Sequence, residues 1–207
     1  MLTGHLESPV MPTGSAPSFD AAQALRLAQE TFDIEAAAVL GLKARIGESF
    51  ARAVDAMLQV RGRVVVMGMG KSGHIGRKVA ATLASTGTPA MFVHPAEASH
   101  GDLGMIKAID LVLAISNSGE VDEVTSLLPV IRRLGVTLVA MTGNPKSTLA
   151  QHADILLDSG VSKEACPLQL APTASTTGQL ALGGALAVGL LAARGVRSAG
   201  WARPPPG

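Results

Sequence analysis

From Val64 to Gly76 the chain reads Val-Val-Val-Met-Gly-Met-Gly-Lys-Ser-Gly-His-Ile-Gly. Three consecutive valines favour a buried strand. The glycines behind them end that strand in a tight turn. When a helix follows, the N–H groups of the turn and of the helix start converge on one spot, and both favour an anion. This stretch therefore predicts an α/β chain with a phosphate-holding turn at the end of its first strand.

The rest of the pattern agrees. Apolar runs recur at Val64–Met67, Pro89–Val93, Leu111–Ile115, Thr137–Met141 and Asp154–Leu157. Helical segments fall between them at Gly73–Thr86, Val121–Leu134 and Ser147–Gln151, and a last one at Gly178–Arg194. The runs are continuous rather than alternating, so both sheet faces are covered. The predicted fold is α/β, a doubly wound parallel sheet of five strands with an N-terminal helical extension. That extension spans Asp20–Val60 and divides at Ile46-Gly47. Residues 1–18, rich in Pro, Gly and Ser, are expected to be disordered. Residues 19–196 form one domain, and 197–207 are expected to be an irregular Pro-rich tail.

Composition excludes several classes. The 207 residues carry 17 Lys+Arg and 16 Asp+Glu, net +1, with no basic cluster to grip nucleic acid. Cys166 is the sole cysteine. It leaves no disulfide framework, favours a reducing cytoplasmic setting and reads as structural. No secretory leader pattern precedes Ser18. Near the end, Leu180–Ala193 is an uncharged apolar run of 14 residues, short of the roughly 20 a membrane span needs. Its small residues favour close approach of another helix, so a subunit interface is expected there.

In a doubly wound sheet, ligands bind beyond the carboxyl ends of the strands. The first such turn has Gly68, Gly70 and Gly73 in G-x-G-x-x-G spacing. A dinucleotide fingerprint needs an acid at the end of the next strand, and here that strand ends in His94-Pro95. A P-loop needs a glycine where Val65 stands. What remains is a phosphate turn without a nucleotide. Ser72 is its candidate ligand, and Lys71 steadies either the phosphate or a developing oxyanion. A solvated surface lysine is the plainer alternative.

The second turn, His94 to Gly104, holds His94, Glu97, His100 and Asp102. Acid–base work suits it better than zinc, because the two histidines lack a standard ligand spacing. Loop polarity, with Asp102 as a helix cap, is the alternative for the carboxylates. The third turn, Ser116-Asn117-Ser118-Gly119-Glu120, supplies two hydroxyls and an amide for the other half of a phosphate cradle. Glu123 lies one helical turn further on; it either faces the same cleft or complements the helix dipole. Glu164 stands just past the fifth strand, at the same edge.

Together these turns resemble the sugar isomerase (SIS) domain of arabinose 5-phosphate isomerases. The resemblance runs over roughly residues 20–195. It rests on Gly68–Gly76, Thr82–Pro89, His94–Gly104, Ser116–Glu120 and Lys163–Pro167. It implies reversible conversion of D-ribulose 5-phosphate to D-arabinose 5-phosphate, which feeds Kdo and lipopolysaccharide. No cofactor and no nucleic-acid or membrane partner is implied. A homotetramer with sites shared between subunits is. Lys71, Glu123 and Glu164 take the family's catalytic positions; Gly87, Thr88, His94 and His100 take its substrate contacts. His94 is also where zinc inhibits family members.

Aldose–ketose isomerisation suits these residue types. It needs a base to move a proton between C1 and C2, groups that shuttle hydroxyl protons, and a cation for the oxyanion. Glu164 or Glu123 is expected as the base, with His100 in ring opening or hydroxyl proton transfer and Lys71 as the cation. Two departures bear on turnover. The family continues into paired CBS repeats, which do not follow here. It also has a Ser-His-Pro-Gly-Gly segment after the last helix, and here no histidine follows His152. The alternative reading is accordingly a sugar-phosphate-binding SIS protein without turnover.

Overall fold

The computed structural model describes residues 18–99 and 101–195. The expectations for residues 1–17, for His100 and for the tail from 196 onward lie outside the described residues. Five strands form one parallel sheet: β1 (Val64–Gly68), β2 (Ala90–Val93), β3 (Leu111–Ile115), β4 (Thr137–Thr142) and β5 (Ile155–Asp158). Their order is β2-β1-β3-β4-β5. Val64 pairs with Ala90 on one side and Leu111 on the other, and Gly68 with Ile115.

Every residue of β1 and β3 is buried, as their continuous apolar runs require. Successive side chains feed two cores. Val64, Val66, Leu113 and Met141 pack with α2 (Glu48–Gln59), α3 (Gly70–Ser85) and α8 (Ala174–Ala193). Val65, Met67, Ala114 and Leu138 pack on the opposite face with α4 (Pro95–Ser99), α5 (Asp122–Thr125), α6 (Leu128–Leu134) and α7 (Thr148–His152). The first helix, α1 (Ala21–Leu42), lies over α8. A 3-10 turn at Lys43–Arg45 separates α1 from α2, so the division falls where Ile46-Gly47 predicts it.

Three helices differ from expectation. The predicted Val121–Leu134 helix is two, α5 and α6. Pro129 supplies no N–H and its ring crowds the carbonyl four residues back, so the ladder cannot run through. The second turn is not bare loop but contains α4 and a 3-10 turn at Asp102–Met105. The last helix begins at Ala174, earlier than Gly178, and reaches 20 residues; by length and composition alone it qualifies as a membrane span. One of its faces, however, is occupied by protein: Leu182, Leu186, Ala187 and Leu190 are buried in the core on the sheet. Nor are its small residues all spare. A Cβ on Gly183 would collide with the Val79 side chain, so this glycine serves contact with α3 of the same chain.

Candidate functional site

The glycine turn is built by close approach. A Cβ on Gly68 would lie 3.0 Å from the Ile115 carbonyl oxygen, and one on Gly73 only 2.6 Å from the Gly68 carbonyl oxygen. Gly70 opens α3 with φ +51°, the left-handed region. Helix α3 is therefore pressed against the end of β1. Met69 precedes it with no side-chain cap. The first N–H groups of α3 are thus left for a ligand or solvent.

Beside this helix start opens a cavity of about 310 Å³, lined by Met69, Lys71, Ser72, Ile115, Ser116, Asn117, Ser118, Val121 and Pro172. It lies between the carboxyl ends of β1 and β3, where the strand order reverses direction. Five predicted residues, Lys71, Ser72, Ser116, Asn117 and Ser118, meet here. Ser116 Oγ accepts the Gly119 N–H at 3.1 Å, and Ser118 Oγ accepts the Glu120 N–H at 3.2 Å. Each hydroxyl accepts within the turn, so each keeps its proton to donate. Neither caps α5, whose N-cap is Val121 without a side-chain bond. Gly119 sits at φ +68° against Ser147 and Thr142, which holds the turn in place. A larger hollow, about 390 Å³, opens at the amino end of β4 beside Arg132, His152 and Asp154. None of the predicted site residues lines it.

Glu164 reaches the start of α8. Its Oε2 accepts the Thr173 N–H at 2.7 Å, the Thr173 hydroxyl at 3.0 Å and the Ser175 N–H at 3.2 Å. Burial raises its carboxyl, but the donors from Ser175 and Thr173 outweigh burial and hold it below the usual carboxylate range. Gln169, at φ +55°, braces the loop by bonding the Glu164 N–H and carbonyl at 2.8 Å each. Pro172 lines the cavity and precedes Thr173, so the Glu164 cap adjoins the cavity wall. Glu123 is exposed in the first turn of α5. Glu120 is drawn off to α7, where it accepts the Thr148 N–H at 2.8 Å; the Thr148 hydroxyl first and its N–H second lower its carboxyl.

His94 follows β2 at the same sheet edge. It stands edge-on to Phe92, with ring centroids 6.4 Å apart, and its buried Nδ1 has no partner among the described residues. It does not line the cavity. No group of three or more His, Cys, Asp or Glu placed to hold a metal occurs among the described residues. Gly87 and Thr88 precede β2, at the amino edge, a strand's length (about 13 Å) from the cavity edge. One chain does not bring them to Lys71. His100 lies outside the described residues.

One contact escaped the sequence reading. Gln179 of α8 is fully buried, and its Oε1 accepts the Ser72 hydroxyl at 3.3 Å. Its only sequence signal is a glutamine at the head of the apolar, uncharged run of α8, beside Thr176 and Thr177.

A donor-lined cleft at the switch point of a doubly wound parallel sheet defines the class: an α/β domain built to receive a small anionic ligand. The chain belongs to the SIS domain family, whose pattern matches residues 57–189. It is similar to arabinose 5-phosphate isomerase KdsD of Pseudomonas aeruginosa PAO1, at 60% identity over 87% of this chain and 55% of that protein. KdsD of Escherichia coli K12 is 54% identical over 92% of this chain and 57% of that one. The chain thus spans about half the length of the curated relatives it matches. Among solved structures, E. coli CFT073 c3406 in complex with arabinose 5-phosphate superposes with a TM-score of 0.84, at 38% identity over 88% of this chain and 97% of that one.

Proposed function

We propose that this protein interconverts D-ribulose 5-phosphate and D-arabinose 5-phosphate through an enediol. The observation that carries the reading is the meeting of Lys71, Ser72, Ser116, Asn117 and Ser118 around one cavity at the switch point. The similarity to the two KdsD proteins and to c3406 with its bound sugar phosphate supports it.

In this scheme the phosphate takes the hydroxyls of Ser72, Ser116 and Ser118 and the N–H groups that open α3. The carboxylate base removes a C1 proton from the ketose and returns it to C2, while a proton passes from O1 to O2. Glu164 suits the base role better than Glu123. Its Oε2 is fixed by three donors, and its Oε1 makes no hydrogen bond among the described residues. A fixed carboxylate with one free oxygen is a positioned base. The Lys71 ammonium steadies the enediolate oxygen. His100 serves ring opening or hydroxyl proton transfer. No cofactor enters, and zinc on His94 inhibits.

We read the working form as a cytoplasmic homotetramer in which Gly87 and His94 complete the cavity of a neighbouring copy; Thr88, fully buried in its own chain, supports that edge from within. The product supplies Kdo and hence lipopolysaccharide. The test is incubation with D-ribulose 5-phosphate, followed by NMR. New D-arabinose 5-phosphate signals are expected. Line broadening of the substrate without conversion would favour a sugar-phosphate-binding protein instead.

A further inference from the structure

The Ser72–Gln179 contact has an unbalanced hydrogen-bond count. Gln179 is fully buried, and its Nε2 has no partner among the described residues, while its Oε1 faces Ser72 at 3.3 Å. That is long for an O–H···O bond. An orphaned buried amide donor costs stability. The arrangement also spends the only Ser72 hydroxyl proton on Gln179, whereas an anion in the cavity needs that proton as a donor.

One change gives Nε2 a partner and releases the Ser72 proton, leaving the carbonyl oxygen as the amide end without a partner among the described residues. The two ends of a glutamine amide have nearly the same shape, and the hydrogen-bond network decides which end points where. Turned over, the amide gives Nε2–H to a lone pair of Ser72 Oγ. The Ser72 proton then points into the cavity.

We propose that Gln179 is a positioning residue for the anion site, its buried amide donating to Ser72 so that the Ser72 hydroxyl donates to a phosphate oxygen. The proposal rests on the sugar-phosphate reading of the cavity. It assigns a task to a residue that does not line the cavity. The buried glutamine side chain orients a hydroxyl.

The test uses inorganic phosphate as the probe, titrated by calorimetry into the full-length wild type, Gln179→Leu, Gln179→Met, Ser72→Ala and the double variant Ser72→Ala/Gln179→Leu. Thermal melts show which variants are folded; Gln179→Met replaces Gln179→Leu, alone and in the double, if the leucine does not fold. Losing the bond that orients the Ser72 donor toward a charged ligand is expected to weaken phosphate binding about tenfold in the Gln179 variant. In the Ser72→Ala background the same change is expected to cost nothing more. With substrate, the Gln179 variant is expected to raise KM with kcat little changed. A Gln179 variant that binds phosphate like wild type, or that costs as much without Ser72 as with it, overturns the proposal. A wild type that binds phosphate yet converts no sugar phosphate overturns the isomerase reading alone. A wild type that binds no phosphate overturns the proposal, and the isomerase reading with it only when no sugar phosphate is converted either.

Discussion

Glu164 and Thr173 are joined twice: one carboxylate oxygen accepts both the backbone N–H, at 2.7 Å, and the hydroxyl, at 3.0 Å. With the Ser175 N–H on the same oxygen, Glu164 caps α8 from nine residues upstream. Thr173, the N-cap residue, makes no side-chain cap of its own. A single carboxylate thus anchors a core helix; it does not itself line the cavity, whose wall on this side is Pro172, next to Thr173.

This arrangement fixes the sign of a pH effect. Burial raises the Glu164 carboxyl, the Ser175 and Thr173 donors lower it more, and its folded pKa ends below the ordinary 4.5. A depressed carboxylate contributes its full stability above the unfolded pKa and loses it as pH falls through the folded value. Wild type is therefore expected to lose Tm more steeply than Glu164→Gln below about pH 4.5. At neutral pH the substitution is expected to cost about 1 kcal/mol, as for other cap losses. Scanning calorimetry across pH checks both; parallel Tm curves would remove the cap argument.

Lys71 separates electrostatics from packing. It is exposed, on the first turn of α3 and at the cavity edge. Lys71→Met is expected to lower kcat about 10²–10³-fold, the usual loss of one oxyanion donor. Its unfolding free energy is expected to stay within about 0.5 kcal/mol of wild type, as at other surface positions. Steady-state rates and urea melts, measured on one preparation, decide it. A full rate with Lys71→Met returns the residue to the role of a solvated lysine.

Gly73 carries the opposite prediction. Its missing Cβ is what lets α3 approach the Gly68 carbonyl oxygen, which would sit at 2.6 Å. Gly73→Ala must push the helix off the end of β1. It is expected to cost about 1–3 kcal/mol, as overpacking does, and to weaken sugar-phosphate binding, because Lys71 and Ser72 ride on the displaced turn. Gly184→Ala is the control, since a Cβ there meets nothing within 4 Å. Urea denaturation of the two variants gives the contrast.

These contacts also mark where sequence reasoning stops. The strands were legible because valine and leucine runs announce buried parallel strands, and Leu111–Ile115 matches to the residue. The meeting of Ser72 with Ser116–Ser118 at one cavity was legible because each follows such a run, and parallel strands bring their carboxyl ends to one edge. The Glu164–Thr173 cap was not, because its partners lie in an aperiodic loop. Gln179 was hidden for another reason: next to Thr176 and Thr177 it read as the polar start of a helix, whereas α8 has already begun at Ala174 and turned this residue inward. The split between α5 and α6 had a signal, Pro129, but the apolar spacing around it runs on as if unbroken.

The amino edge of β2 yields the last prediction. Gly87 stands exposed and away from the cavity of its own chain, so a role in binding requires a second copy to bring it to one, whereas Thr88 beside it is fully buried. Helix α1 offers the surface for one. Leu25, Phe32 and Leu40 are 67%, 72% and 64% exposed. Their spacings of seven and eight residues put them on one face of a 3.6-residue helix. Apolar area of this kind favours burial at roughly 25 cal/mol per Å², and a charge in its midst opposes it. Phe32→Glu is expected to shift the assembly to smaller species in light scattering coupled to gel filtration. Secondary structure by circular dichroism is expected to be unchanged, because Phe32 faces solvent in the single chain. Turnover is expected to fall with the assembly and to recover at higher protein concentration, as mass action requires. An unchanged assembly size in Phe32→Glu would clear α1 of the role. A dissociated variant that keeps full activity would show that Gly87 does not serve a neighbour's cavity.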